Sequence, residues 1–214
     1  ISYRLVGSEM CIRDSLGADA KGWQPGACMP TLHRRLTTFV DWIKPDAAMR
    51  DKVRKQVDEI RTRLTAQAAA DGLTVRSTPN SGSFAKATGL RRHLQGNSVV
   101  EGMDVDLPFV VSPKDKDGEQ LSYLLNRFDA YAASSYPTVE RRRTKSSIEL
   151  KFTGTKLAYD IVPMLATEDN TWQILIKSDG THRRTSVQRH VQFVRVRNKE
   201  SDRHAGRVRY HECV

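Results

Sequence analysis

The sequence predicts a mixed α/β (α+β) fold in which N-terminal helices pack on a twisted, mixed sheet and a further helical part begins near the end of the chain. Two apolar series at helical spacing precede any strand signal, a compact β-rich run and a hairpin pattern follow, and a basic helical stretch comes last.

Leu32, Leu36, Phe39 and Ile43 define the first helix, and Met49, Val53, Val57, Ile60 and Leu64 define a longer one running from Asp46, a candidate N-cap, to Gly72. Leu73 to Arg76 reads as a short strand, Thr78 to Gly89 is rich in turn formers, and Val105 to Val111 is a second strand. Gln120 to Ala133 carries Leu121, Leu124, Leu125 and Phe128 on one side of a helix that Tyr136-Pro137 ends. Ile148, Leu150 and Phe152 alternate with Glu149 and Lys151, the period of a half-buried strand. The short link Thr153-Gly154-Thr155 returns Lys156 to Val162 as its hairpin partner. Trp172 to Ile176 is one more strand, and Ser186 to Arg197 is a basic helix with Val187, Val191 and Val194 inward.

Composition narrows the function classes. The chain has 214 residues, 38% of them hydrophobic, enough for one sizeable core. Apolar runs such as Leu107 to Val111 are far short of the roughly 18 residues of a membrane span, so no membrane partner is expected. The net charge of +10 favours a polyanionic partner or substrate. Cys11, Cys28 and Cys213 are odd in number and scattered, which speaks against a disulfide framework and for a reducing, cytoplasmic location. Residues 1–30 are set aside as a non-native or disordered segment: Ile1 to Ser15 has no sustained period, the string Tyr3 to Asp14 within it resembles translated sequencing-adapter read-through, and a stretch rich in Gly, Ala and Pro follows.

The residues fit for chemistry are Asn80-Ser81-Gly82-Ser83-Phe84, then Met103-Asp104-Val105-Asp106-Leu107, then Ala158-Tyr159-Asp160-Ile161-Val162. In a strand, positions i and i+2 share a face roughly 7 Å apart, so Asp104 and Asp106 point one way while Val105 and Leu107 point the other. Acids side by side need positive charge between them. A pair of divalent cations, magnesium or manganese, would supply it through hard oxygen ligands, with Asp160 completing the set from a neighbouring strand. Gly82 and Ser83 suit a phosphate cradle, since glycine permits close approach and the turn offers N–H groups and a hydroxyl. Taken singly, Ser83 also reads as a turn hydroxyl bonding its own backbone, and Asp160 as a strand-edge acid paired with an arginine. Neither a G-x-x-x-x-G-K-[ST] loop nor an H-E-x-x-H helix is present.

The G-S turn, the D-x-D strand and the later Asp, in that order, resemble the nucleotidyltransferase superfamily that includes DNA polymerase beta. Gly82-Ser83-Phe84-Ala85-Lys86-Ala87-Thr88-Gly89-Leu90, Asp104 to Val111, Tyr159-Asp160-Ile161-Val162-Pro163 and Asp179 to His190 look most like the bacterial cGAS/DncV-like nucleotidyltransferases of cyclic-oligonucleotide-based antiphage signalling. The resemblance implies a catalytic domain over 31–185 and the truncated start of a C-terminal helical domain over 186–214. It further implies two magnesium ions on Asp104, Asp106 and Asp160, nucleotide binding at Gly82 and Ser83, and condensation of nucleoside triphosphates into a cyclic second messenger with release of pyrophosphate. An activating protein or nucleic acid is an expected partner class. The alternatives are a linear oligonucleotide or another acceptor, or a non-catalytic basic module that binds nucleic acid.

Arg91, Arg92, Arg141 to Arg143, Arg183 and Arg184 are further candidates for phosphate contacts, although most are expected to be solvated, and Lys86 is read as a flexible, exposed neighbour of the turn. Phe84 and Tyr159 flank the acids and are candidates to line a base pocket. Trp23, Trp42 and Trp172 are read as packing residues, and His204, His211 and Cys213 lack the spacing of a zinc site.

Overall fold

A computed structural model of the protein describes residues 28–95, 97–100, 102–113, 121–154 and 156–200. The chain separates into two units, Ile1–Leu36 and Thr37–Val214; the first contributes only residues 28–36 to the described part, a stretch of helix, and the fold below is that of the second.

In chain order the elements are α1 (Cys28–Ile43), α2 (Ala47–Ala70), β1 (Val75–Ser77), α3 (Gly82–Lys86), β2 (His93–Gln95), β3 (Ser98–Val100), β4 (Val105–Val111), α4 (Leu121–Ser135), β5 (Glu140–Arg143), β6 (Ile148–Phe152), β7 (Leu157–Ala166), β8 (Gln173–Ile176), β9 (His182–Thr185) and α5 (Val187–Glu200). α1 begins inside the stretch expected to be flexible. α2 starts where its cap was expected: Asp46 Oδ1 accepts from the Met49 amide at 2.7 Å. It ends at Gly72, whose φ of +76° suits a residue without a β-carbon. The single helical turn α3 replaces the open turn expected there. The strand expected from Leu73 begins two residues later, and β7 runs four residues past the expected Val162.

Seven strands form one mixed sheet in the order β1-β4-β7-β6-β5, with β8 pairing β7 and β9 pairing β8; β2 and β3 form a separate hairpin. The β4–β7 pair is parallel and the other pairings are antiparallel. Alternation along β4 and β7 divides the side chains between two cores. Val105, Leu107, Phe109, Tyr159 and Ile161 join Val53, Val57, Ile60 and Leu64 of α2 and Leu124, Leu125 and Phe128 of α4. Val110, Val162, Met164 and Ala166 face the other way and pack with Val187 of α5. β7, with ten residues and neighbours along both edges, is the spine of the sheet. α5 is capped by Ser186, whose Oγ accepts from the Arg189 amide at 3.2 Å and donates to the Thr171 carbonyl at 2.6 Å.

Candidate active site

Asp104 lies just before β4 and Asp106 within it; their parity opposes that of Val105 and Leu107, so the acids keep to the face away from α2 and α4. The parallel pairing sets Asp106 directly beside Asp160, and partners in register share a face. One carboxylate oxygen from each of Asp104, Asp106 and Asp160 lies within 4.8 Å of the others.

Like charges this close oppose one another's ionisation. The Asp106 carboxyl is pushed up to about 6, first by burial and then by Asp104 and Asp160, while Lys86 and a hydrogen bond from Ser81 pull it down. Lys86 is therefore half-buried and electrostatically coupled to the acids, where a flexible exposed side chain was expected. Asp160 is also raised, chiefly by burial. Three hard oxygen donors with surplus negative charge match a divalent cation, and among the described residues no other group of three His, Cys, Asp or Glu does so.

Gly82 and Ser83 clamp this cluster from the side. Gly82, at φ +73°, opens α3 against β4, and a β-carbon there would stand 2.5 Å from the Asp104 carbonyl oxygen. Ser83 Oγ accepts from the Asp104 amide at 2.8 Å and donates to its carbonyl at 3.2 Å. The Phe84 amide donates to the same carbonyl at 3.1 Å, and the Ser81 amide to that of Asp106 at 3.3 Å. The Ser83 hydroxyl thus serves a backbone, as the simpler reading had it, but the backbone of the acidic strand and not its own.

Other candidates divide. Tyr159 is fully buried in the main core, its ring edge-on to Phe152 at 5.5 Å, so it does not line a base pocket; the period of two sends it away from Asp160. Phe84 packs against that same core. Trp42 is 63% exposed and is not a packing residue of the core. Trp172, half-buried, carries the guanidinium groups of Arg184 and Arg189 at 4.7 and 4.6 Å from its ring centre. Arg141 pairs with Asp129 at 2.7 Å, Arg142 with Glu149 at 3.1 Å, and Arg143 bonds Asn126. Trp23, His204, His211 and Cys213 lie outside the described residues.

Sequence reasoning missed Thr144 and Ser147. Ser147 Oγ donates to Asp160 Oδ1 at 2.8 Å, and Thr144 Oγ1 lies 2.7 Å from Ser147 Oγ. Two hydroxyls at i and i+3 just before a strand are a visible pattern, but nothing local says which acid they will face.

Residues 29–198 match the family described as SMODS, the Second Messenger Oligonucleotide or Dinucleotide Synthetase domain. The chain belongs to this family. It is 26% identical over 185 residues to the cyclic AMP-AMP-AMP synthase of Escherichia coli strain MS 115-1, a match covering 82% of this chain and 54% of that protein. It is 28% identical over 160 residues to the CBASS oligonucleotide cyclase CdnC of E. coli strain KTE188, covering 71% and 48% respectively. The SMODS chain thus spans about half the length of the curated relatives it matches. Its fold is that of E. coli MS115-1 CdnC solved with ATP (TM-score 0.61, 24% identity, 84% of this chain and 56% of that one). The same fold occurs in Bradyrhizobium diazoefficiens CD-NTase CdnG solved with GTP (TM-score 0.61, 16% identity, 76% and 46%).

Proposed function

We propose that this chain carries the catalytic centre of a divalent-cation-dependent nucleotidyltransferase that condenses nucleoside triphosphates into a cyclic oligonucleotide second messenger for antiphage defence, releasing pyrophosphate. The observation that carries the reading is the side-by-side placement of Asp106 and Asp160 in a parallel pair, with Asp104 close enough to share their ligands. The relatives' activities as cyclic oligonucleotide synthases support the product class.

Asp104 and Asp106 would hold two magnesium or manganese ions and Asp160 one of them. When bound, such ions neutralise triphosphate charge and lower the pKa of an attacking hydroxyl. The protein's own part is positional: Gly82 and Ser83 fix the acidic strand against α3, so the turn proposed to receive the triphosphate and the acids form one rigid piece. Burial behind β4 and β7 keeps the Asp106 carboxyl poorly solvated, and its charge favours a cation over water.

The catalytic domain would occupy 31–185, with residues 1–30 outside it and 186–214 opening a C-terminal helical domain. Exposed Phe193 and Val196 on α5 support a further packing partner for that helix. An activating protein or nucleic acid is a partner of the same reading, since the E. coli CdnC was solved with HORMA-deltaN. Scattered cysteines and nucleotide substrates favour the cytoplasm; among the described residues no helix is long and apolar enough to cross a membrane.

The test is incubation of the protein with labelled NTPs and magnesium, then phosphatase treatment and mass spectrometry. Phosphatase-resistant cyclic products that vanish in Asp104→Ala and Asp160→Ala are expected. Linear products would overturn the cyclase reading while keeping nucleotidyl transfer, and no product with protein and nucleic-acid activators added would overturn both.

A further inference from the structure

The turn between β5 and β6 ends one strand away from Asp160 and is tied by its own backbone. The Thr144 amide donates to the Ser147 carbonyl at 2.9 Å. The amides of Ser147 and Ser146 donate to Thr144 Oγ1 at 3.0 and 3.4 Å. A serine hydroxyl has one proton, and that of Ser147 goes to Asp160 Oδ1. In the 2.7 Å contact between the two hydroxyls the Ser147 oxygen is therefore the acceptor and Thr144 the donor, and the one Thr144 proton is shared with the more distant Ser147 carbonyl at 3.2 Å. The bonds run one way, from backbone N–H to Thr144, to Ser147, to the Asp160 carboxylate, and each polarises the next.

Ser147 is only 8% exposed, so bulk water does not readily take its place. The last torsion of an aspartate is broad when nothing holds it. A bond to one carboxylate oxygen removes that freedom and presents the other oxygen in one direction.

We propose that Ser147, oriented by Thr144, is a positioning residue that fixes the Asp160 carboxylate for divalent-cation binding at the Asp104–Asp106–Asp160 cluster. The proposal rests on the cation-dependent reading of that cluster, and it assigns to the β5–β6 turn a part in setting metal affinity. Hydroxyl partners of ligating carboxylates act on affinity by about 10–100-fold.

The experiment is titration of the whole protein with Mn²⁺ followed by electron paramagnetic resonance, with thermal unfolding recorded for each variant. Ser147→Ala should weaken Mn²⁺ binding by about tenfold and alter the bound-ion line shape, Ser147→Thr should restore both, and Thr144→Val should fall between. In turnover, Ser147→Ala should lower kcat at limiting magnesium, leave the nucleotide KM unchanged and be rescued by excess magnesium, which a merely structural loss would not show. Wild-type Mn²⁺ affinity in folded Ser147→Ala, with Asp160→Asn impaired, would overturn the positioning role alone. Wild-type affinity in Asp160→Asn and Asp106→Asn would overturn the cluster reading beneath it. Should Ser147→Ala fail to fold, Thr144→Val and its conservative partner Thr144→Ser decide: equal affinity in both overturns the proposal, and weakening confined to Val supports it.

Discussion

Gly82 stands so close to Asp104 that a β-carbon on it would lie 2.5 Å from the Asp104 carbonyl oxygen and 2.9 Å from the Asp106 amide nitrogen. Both are backbone atoms of the sheet, which cannot step aside as a flexible side chain would. Gly82→Ala also imposes a φ of +73° on a residue with a β-carbon. It should cost about 2–4 kcal/mol in urea unfolding and disturb cation binding together. Gly154→Ala, with nothing within 4 Å of the added carbon, should stay within about 0.5 kcal/mol of the wild type. Equal stability of the two variants would sink the account.

Asp71, at the C-terminal end of α2, accepts hydrogen bonds from Tyr131 and Arg127, which hold its carboxyl below the ordinary value of 3.8. A depressed carboxyl adds stability above the unfolded pKa and loses it as pH falls through the folded one. The melting temperatures of the wild type and Asp71→Asn should therefore differ at pH 6 and converge below about pH 4. A gap that stays constant down to pH 3 would contradict this.

Phe128 is fully buried, with ring centres of Phe109 and Tyr131 at 5.1 and 5.3 Å. Phe128→Ala should lower unfolding free energy by about 3–5 kcal/mol, whereas Trp42→Ala, at an exposed ring, should cost under about 1 kcal/mol. Denaturant midpoints at constant m-value check both.

Asp46→Ala removes the acceptor of the Met49 amide at the start of α2. A loss of about 1 kcal/mol is expected, recovered in Asp46→Ser. If Ala and Ser variants unfold alike, the cap contributes nothing.

How much of this was legible follows the reach of each interaction. α2 could be read because Val53, Val57, Ile60 and Leu64 bury one face at helical spacing, and β6 because Ile148 and Leu150 alternate with polar neighbours. β5 and β9 could not: Glu140–Arg143 and all of His182–Thr185 but its last residue are exposed, with no apolar alternation to read, and each pairs with a single neighbouring strand at the sheet edge. α3 escaped because bonds to the Asp104 backbone, twenty residues on, shape that turn. Asp104 and Asp106 share a face by local alternation, whereas the register beside Asp160 and the bond from Ser147 depend on which strands meet, which no local pattern encodes.

The parallel pairing of β4 with β7 ties the site to the order of assembly. Between Asp106 and Asp160 the chain passes through α4, β5 and β6 before β7 returns alongside β4, so the pairing closes a long loop through non-local contacts of the kind that form slowly. The acidic trio therefore comes into being only when the sheet closes, and a nascent chain that has not yet delivered β7 holds two of its acids and no complete cluster. Under the proposed function, a cation site built on all three acids would require the finished sheet, since its third ligand arrives with β7.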